Sequence, residues 1–281
     1  MSDAEPFLSD TTFRDFLRSR YSFMTRLHSR IIVVSGGGSS FGRAIVEHCL
    51  EAGARVTVLE AESELAAQLR GDFGTELIVL CGDPTQLASH RQALAATLQR
   101  HHRVDGFVAH SACWDHGLAL ADLPDDDTLI AGFDRIFAAN VRAYLCGARV
   151  MAAPLRRSQG SMVFTLSTAA IQAGRGGALA TAAHHAGAGL VRQLALELAP
   201  AVRVNGVCAA LPPRDRHGPF AARAAKGQRS DAVGAPRYLP DPRSQTEHYL
   251  ALLAPHDLSA ATGALLEVDA EPGLEGLITL S

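Results

Sequence analysis

With 281 residues, 47% of them hydrophobic, the chain is long enough to bury one large core. A formal charge of -3 and a pI near 6.4 leave no basic footprint for nucleic acid or an anionic membrane surface. No run approaches the roughly 18–20 apolar residues of a membrane span, and the cysteines stand singly without C-x-x-C spacing, which fits reduced thiols in a cytoplasmic protein better than a disulfide frame or zinc site.

Residues 1–27 read as an N-terminal extension. Phe13, Phe16, Leu17, Tyr21 and Met24 fall near one helical face among arginines, the pattern of an amphipathic helix lying on the domain or on a partner. The same Arg-rich, acid-poor stretch has the composition of a targeting presequence, but no apolar h-region or cleavage signal follows it.

From residue 28 onward strand and helix patterns alternate. "I-I-V-V" is a β-branched run and 42–52 is helical; "R-V-T-V-L" is a strand and 62–70 a helix; "E-L-I-V-L" is a strand and 86–101 a helix. "D-G-F-V-A-H" is followed by a long helix over 129–153, "S-M-V-F-T-L" by a helix over 178–199, and the strands "V-R-V-N-G-V" and "G-A-L-L-E-V" close the series. This alternation predicts an α/β domain over 28–281, a doubly wound parallel sheet with helices on both faces. Residues 211–245, rich in Pro, Arg and Gly, break the pattern and read as a substrate-lid loop; the chain's one lysine, Lys226, falls there.

"V-V-S-G-G-G-S-S-F-G-R-A" joins the first strand to the first helix. Glycines permit a tight turn and close approach to a pyrophosphate, and the free amides of a helix start favour an anion. Gly36, Ser39, Ser40, Phe41 and Gly42 of this stretch are candidate cofactor contacts. Glu60, ending the second strand, suits the two hydroxyls of an adenosine ribose and would repel a 2′-phosphate, so NAD(H) is expected rather than NADP(H). Asp83 and Pro84 after the third strand, with Ala112 after the fourth, complete the candidate set.

Several stretches carry a family resemblance: the glycine-rich turn, "A-C-W-D", "F-D-R-I-F-A-A-N-V-R", "F-T-L-S", "L-V-R-Q-L-A-L-E-L-A-P-A-V-R-V-N-G-V" and "A-T-G-A-L-L". Over about 28–275 the chain resembles a short-chain dehydrogenase/reductase, a Rossmann-type fold, and within that family the bacterial cis-2,3-dihydrodiol dehydrogenases of the biphenyl type. The resemblance implies an active-site asparagine at Asn140, a substrate-binding serine at Ser167 and a structural asparagine at Asn205. It also implies a homo-oligomer, dimer or tetramer, built through the two long helices.

The family's tyrosine and lysine positions hold Ala180 and His184. Tyrosinate normally takes the substrate hydroxyl proton, and alanine has no such function; losing a general base costs roughly 10²–10⁴ in rate. Other departures lie at the same end: His110-Ser111-Ala112 for Asn-Ala-Gly, Ala209-Ala210 for Pro-Gly, Pro212 where a backbone N–H would hold the nicotinamide, and Asp269-Ala270-Glu271 for Asp-Gly-Gly. The adenosine end is thus expected intact and the nicotinamide end altered. His110 and His184 are expected to face the pocket, with Trp114 and Asp115 at its mouth; no histidine spacing points to a metal.

Three functions follow. The first is non-redox acid/base chemistry (dehydration, isomerisation or cyclisation) on a cyclic, hydroxylated or aromatic small molecule, with His184 or His110 moving protons beside Ser167 and Asn140. The alternatives are a catalytically silent scaffold or partner subunit, and an NAD-dependent dihydrodiol dehydrogenase with a non-standard site.

Overall fold

The computed structural model describes residues 26–110, 113–172, 175–209, 242–254 and 260–268. The expected N-terminal helix, Ala112, the lid as far as residue 241, Pro212 and Asp269–Glu271 lie outside the described residues.

Strands β1 (Ile31–Ser35), β2 (Arg55–Glu60), β3 (Leu77–Cys81), β4 (Gly106–Ala109), β5 (Ser161–Ser167), β6 (Arg203–Ala209) and β7 (Leu265–Val268) form one seven-stranded sheet in the order β3-β2-β1-β4-β5-β6-β7. Every neighbouring pair is parallel. The helices are α1 (Ser40–Glu51), α2 (Ser63–Phe73), α3 (Leu87–His101), α4 (Asp126–Phe137), α5 (Ala143–Ser158), α6 (Ala178–Leu198) and α7 (Pro242–Leu253).

The central strands read as unbroken apolar runs because helices cover the sheet on both faces. Alternate β1 residues go to opposite sides. Ile32 and Val34 join Ile45 and Val46 of α1 and Tyr249 of α7, whereas Val33 joins Phe107, Phe164, Met151 of α5 and Val191 of α6. The order of strands reverses at β1, which lies between β2 and β4, so a crevice opens beyond the carboxyl ends of β1 and β4.

Two elements differ from the sequence expectation. The single helix over 129–153 is instead α4, a π turn at Ala138–Arg142, and α5. Asn140 Nδ2 donates to the Ile136 carbonyl, the group its own amide would use in an α-helix, and the Ala143 amide reaches back to Ala138. A side chain has entered the ladder and shifted it. Helix α7 has no counterpart in the sequence pattern, and its first residues fall inside the expected lid. Its buried residues mix core leucines, Leu250, Leu252 and Leu253, with polar contacts: Thr246 bonds His48 of α1, and the Tyr249 hydroxyl donates to Thr165 Oγ1 at 2.8 Å. Buried Gln245 and Thr246 hide the apolar period.

Candidate cofactor and active site

The glycine-rich turn is shaped by its own packing. Gly36 has φ +83°, and a Cβ there would stand 2.1 Å from the His110 carbonyl oxygen; a Cβ on Gly42 would stand 2.1 Å from the Gly36 oxygen. Ser39 caps α1, its Oγ accepting from the Gly42 amide at 2.9 Å. The same Oγ bonds His110 Nε2 at 2.9 Å, and the imidazole stacks on Phe41 with ring centroids 5.4 Å apart. Phe41 itself is a core residue, edge-on to Tyr249, and Ser40 is an exposed first residue of α1. His110 therefore ties the end of β4 to the glycine-rich turn.

Glu60 ends β2 almost fully buried, at 1% exposure. Its Oε2 accepts from the Gly38 amide at 2.6 Å and its Oε1 from the Glu62 amide at 3.1 Å. A carboxylate oxygen can accept from more than one donor, so these bonds are compatible with ribose hydroxyls at the same group. Asp83 is held by the Thr85 amide and hydroxyl, both at 2.8 Å. Glu60, Asp83, Pro84, Gly36 and His110 line a cavity of about 420 Å³, to which Arg135 and Arg142 also contribute. That size is in the range of small-molecule sites. The bare glycine cradle, the carboxylate at the end of β2 and this cavity fit the adenosine half of a dinucleotide.

Ser167 and His184 are in contact, while neither they nor Ala180 and Asn140 are among the residues lining that cavity. Ser167 ends β5; its Oγ accepts from the Ala169 amide, and its own amide donates to His184 Nδ1 at 3.3 Å. The imidazole is 1% exposed, and burial first, then the neighbouring His185, pulls its pKa down to about 4. With Nδ1 accepting, the proton of the neutral ring sits on Nε2. His184 is thus neither a cation in place of the lysine nor a free base at neutral pH. Ala180 is fully buried and presents only a methyl group. Asn140 donates from Nδ2 to the Cys113 and Ile136 carbonyls, while its Oδ1 is buried without a partner among the described residues.

Asp115 has a role that the sequence pattern does not reveal. It is buried rather than at a pocket mouth, and accepts from the amides of Gly117, Gly177 and Ala180 at 3.0, 3.1 and 2.8 Å. Helix α6 starts at Gly177 with no capping side chain of its own, and Asp115 supplies the cap from a distant loop. Trp114 packs over Gly176, where a Cβ would stand 3.0 Å from the ring. Arg135 and Arg142 also escape sequence reasoning; the pattern of 129–153 gives no sign of which charges face the crevice.

The family model described as short chain dehydrogenase matches residues 30–212. The chain belongs to the short-chain dehydrogenase family. A relative from Escherichia coli strain SMS-3-5, a 3-phenylpropionate-dihydrodiol/cinnamic acid-dihydrodiol dehydrogenase, is 38% identical over 262 residues, covering 90% of this chain and 97% of its own. The protein of the same name from E. coli K12 is 37% identical over the same span. Among solved structures, a 3-ketoacyl-(acyl-carrier-protein) reductase from Brucella melitensis complexed with NADH superposes with a TM-score of 0.71 at 22% identity, covering 86% of this chain and 98% of the other. A short chain dehydrogenase from Mycobacterium smegmatis gives 0.69 at 16% identity, over 88% and 95%. These two establish the seven-stranded α/β fold. The chain is thus a family member related to aromatic dihydrodiol dehydrogenases, and among the described residues no helix is long and apolar enough to cross a membrane.

Proposed function

We propose that the chain is an NAD-linked oxidoreductase of aromatic cis-dihydrodiols that works slowly, because it lacks a side chain to carry the hydroxyl proton away. The observation that carries this reading is the buried Glu60 carboxylate at the end of β2, in a cavity sized for adenosine, within a chain related over nearly its full length to dihydrodiol dehydrogenases. NAD, when bound, supplies the hydride acceptor. Glu60 takes the ribose hydroxyls, and its charge disfavours a 2′-phosphate. Ser167 binds a substrate hydroxyl, and Asn140 holds the loop at Cys113 against the crevice.

The proton then leaves to water. Removing two hydrogens from a ring dihydrodiol, a hydride to the cofactor and a proton to water, gives a hydroxydienone that enolises to a catechol. Aromatisation thus pulls the overall equilibrium to product while the hydride step itself goes without a base. The missing base costs roughly 10²–10⁴ in rate. The neutral, Nδ1-engaged His184 and the loop-bound His110 both count against the non-redox acid/base reading, which needed one of them to move protons.

A second reading, a silent scaffold that binds cofactor without turnover, is favoured by the methyl group at Ala180. Calorimetric NAD and NADH titrations, then absorbance at the NADH band with the cis-dihydrodiols of 3-phenylpropionate and cinnamate, separate the two. Slow, dihydrodiol-dependent NADH formation by the wild type that rises with Ala180→Tyr combined with His184→Lys supports the oxidoreductase. NAD binding with no turnover at high enzyme concentration supports the scaffold, and no NAD binding overturns both.

A further inference from the structure

Arg142 closes the π turn at Ala138–Arg142 and lines the cofactor cavity. Its side chain is exposed and makes no hydrogen bond or ion pair with the described residues. Asp83, just past the end of β3, borders the same cavity, yet the two form no ion pair, which leaves a gap between the guanidinium and that carboxylate.

The chemistry of the gap's walls selects what fills it. Glu60, Glu62 and Asp83 line the same cavity, so an anion is disfavoured beside them. A neutral, flat ring with donor edges suits both kinds of group: an amino edge suits carboxylates and a ring face suits a guanidinium plane. β3 lies one strand beyond β2, on the side away from β1, so a nucleoside whose ribose is held at Glu60 directs its base toward Asp83.

We infer that Arg142 is a cofactor-binding residue that stacks on the adenine ring, strengthening the adenosine end of a site whose nicotinamide end departs from the family pattern. This rests on the NAD reading above. A stacked guanidinium contributes roughly 3- to 20-fold in affinity, and a lysine, lacking the plane, does not replace it.

The test is calorimetric affinity of the full chain for AMP, ADP-ribose, NAD and nicotinamide mononucleotide, in the wild type, Arg142→Ala and Arg142→Lys. The expected result is a weakening of AMP, ADP-ribose and NAD by the same roughly 3- to 20-fold factor in both variants, with nicotinamide mononucleotide unchanged. Thermal melting of the free variants, expected to match wild type because the side chain is exposed, removes misfolding as an explanation. Unchanged ADP-ribose affinity in Arg142→Ala overturns the inference, as does full recovery in Arg142→Lys, which would mean a point charge acting on the phosphates. A wild type that binds none of the adenosine ligands overturns the NAD reading itself, which is a separate outcome.

Discussion

Replacing Asp115 by alanine removes the acceptor for the first turn of α6. The amides of Gly177 and Ala180, at 3.1 and 2.8 Å from its carboxylate, would be left without that partner in a buried setting, and Gly117 would give up a third bond at 3.0 Å. A missing cap costs about 1 kcal/mol, and each buried donor left without a partner about 1–3 kcal/mol unless water reaches it. A total of about 3 kcal/mol follows, equal to a fall in Tm of roughly 6–12 °C for a chain of this size. Asp115→Asn keeps one acceptor oxygen but removes the charge at the helix start, and should cost about 1–2 kcal/mol. Urea unfolding followed by circular dichroism, with the slope unchanged, is the assay. A loss under about 0.5 kcal/mol in Asp115→Ala would refute the capping role, because exposed or redundant groups behave that way.

The remaining predictions use other features of the site. Gly36→Ala, with positive φ and a Cβ aimed at the His110 carbonyl, should cost about 3 kcal/mol or more, whereas Gly71→Ala, in α2 with nothing near its Cβ, should stabilise by about 0.5–1 kcal/mol; paired melts check both. His110→Ala removes the bond to Ser39 and the stack on Phe41, and should cost about 2–3 kcal/mol and weaken ADP-ribose binding by loosening the glycine-rich turn, read by unfolding and calorimetry. The depressed His184 pKa, about 4 against 6.5 unfolded, means the unfolded chain binds the extra proton first. His184 therefore makes no pH-dependent contribution above pH 6.5 and withdraws up to about 3 kcal/mol as pH falls toward 4. Buried His48 and His90 act in the same direction, so the difference between wild type and His184→Gln across that window isolates the effect.

The alternation of β-branched runs with helical stretches, the glycine-rich turn and the acid at the end of the second strand were all legible in the amino-acid order. So was the absence of a phenol and an ammonium at 180 and 184. These are properties of residues a few positions apart, and the periods of strand and helix report them directly. The α7 helix escaped because its buried residues include Gln245 and Thr246 beside Tyr249, Leu250, Leu252 and Leu253, so hydrogen bonding to His48 shares the burial with apolar packing and interrupts the period.

Tertiary structure alone decided which distant groups meet. Asp115 reaches the start of α6 across more than sixty residues of chain, and His110 reaches Ser39 across seventy-one. His184 is the clearest case: imidazole in water titrates near 6.5. Burial under the end of β5, against the Ser167 amide, makes it a neutral fixture. Chain order names the groups, but the dielectric and the partner that set their chemistry come from packing.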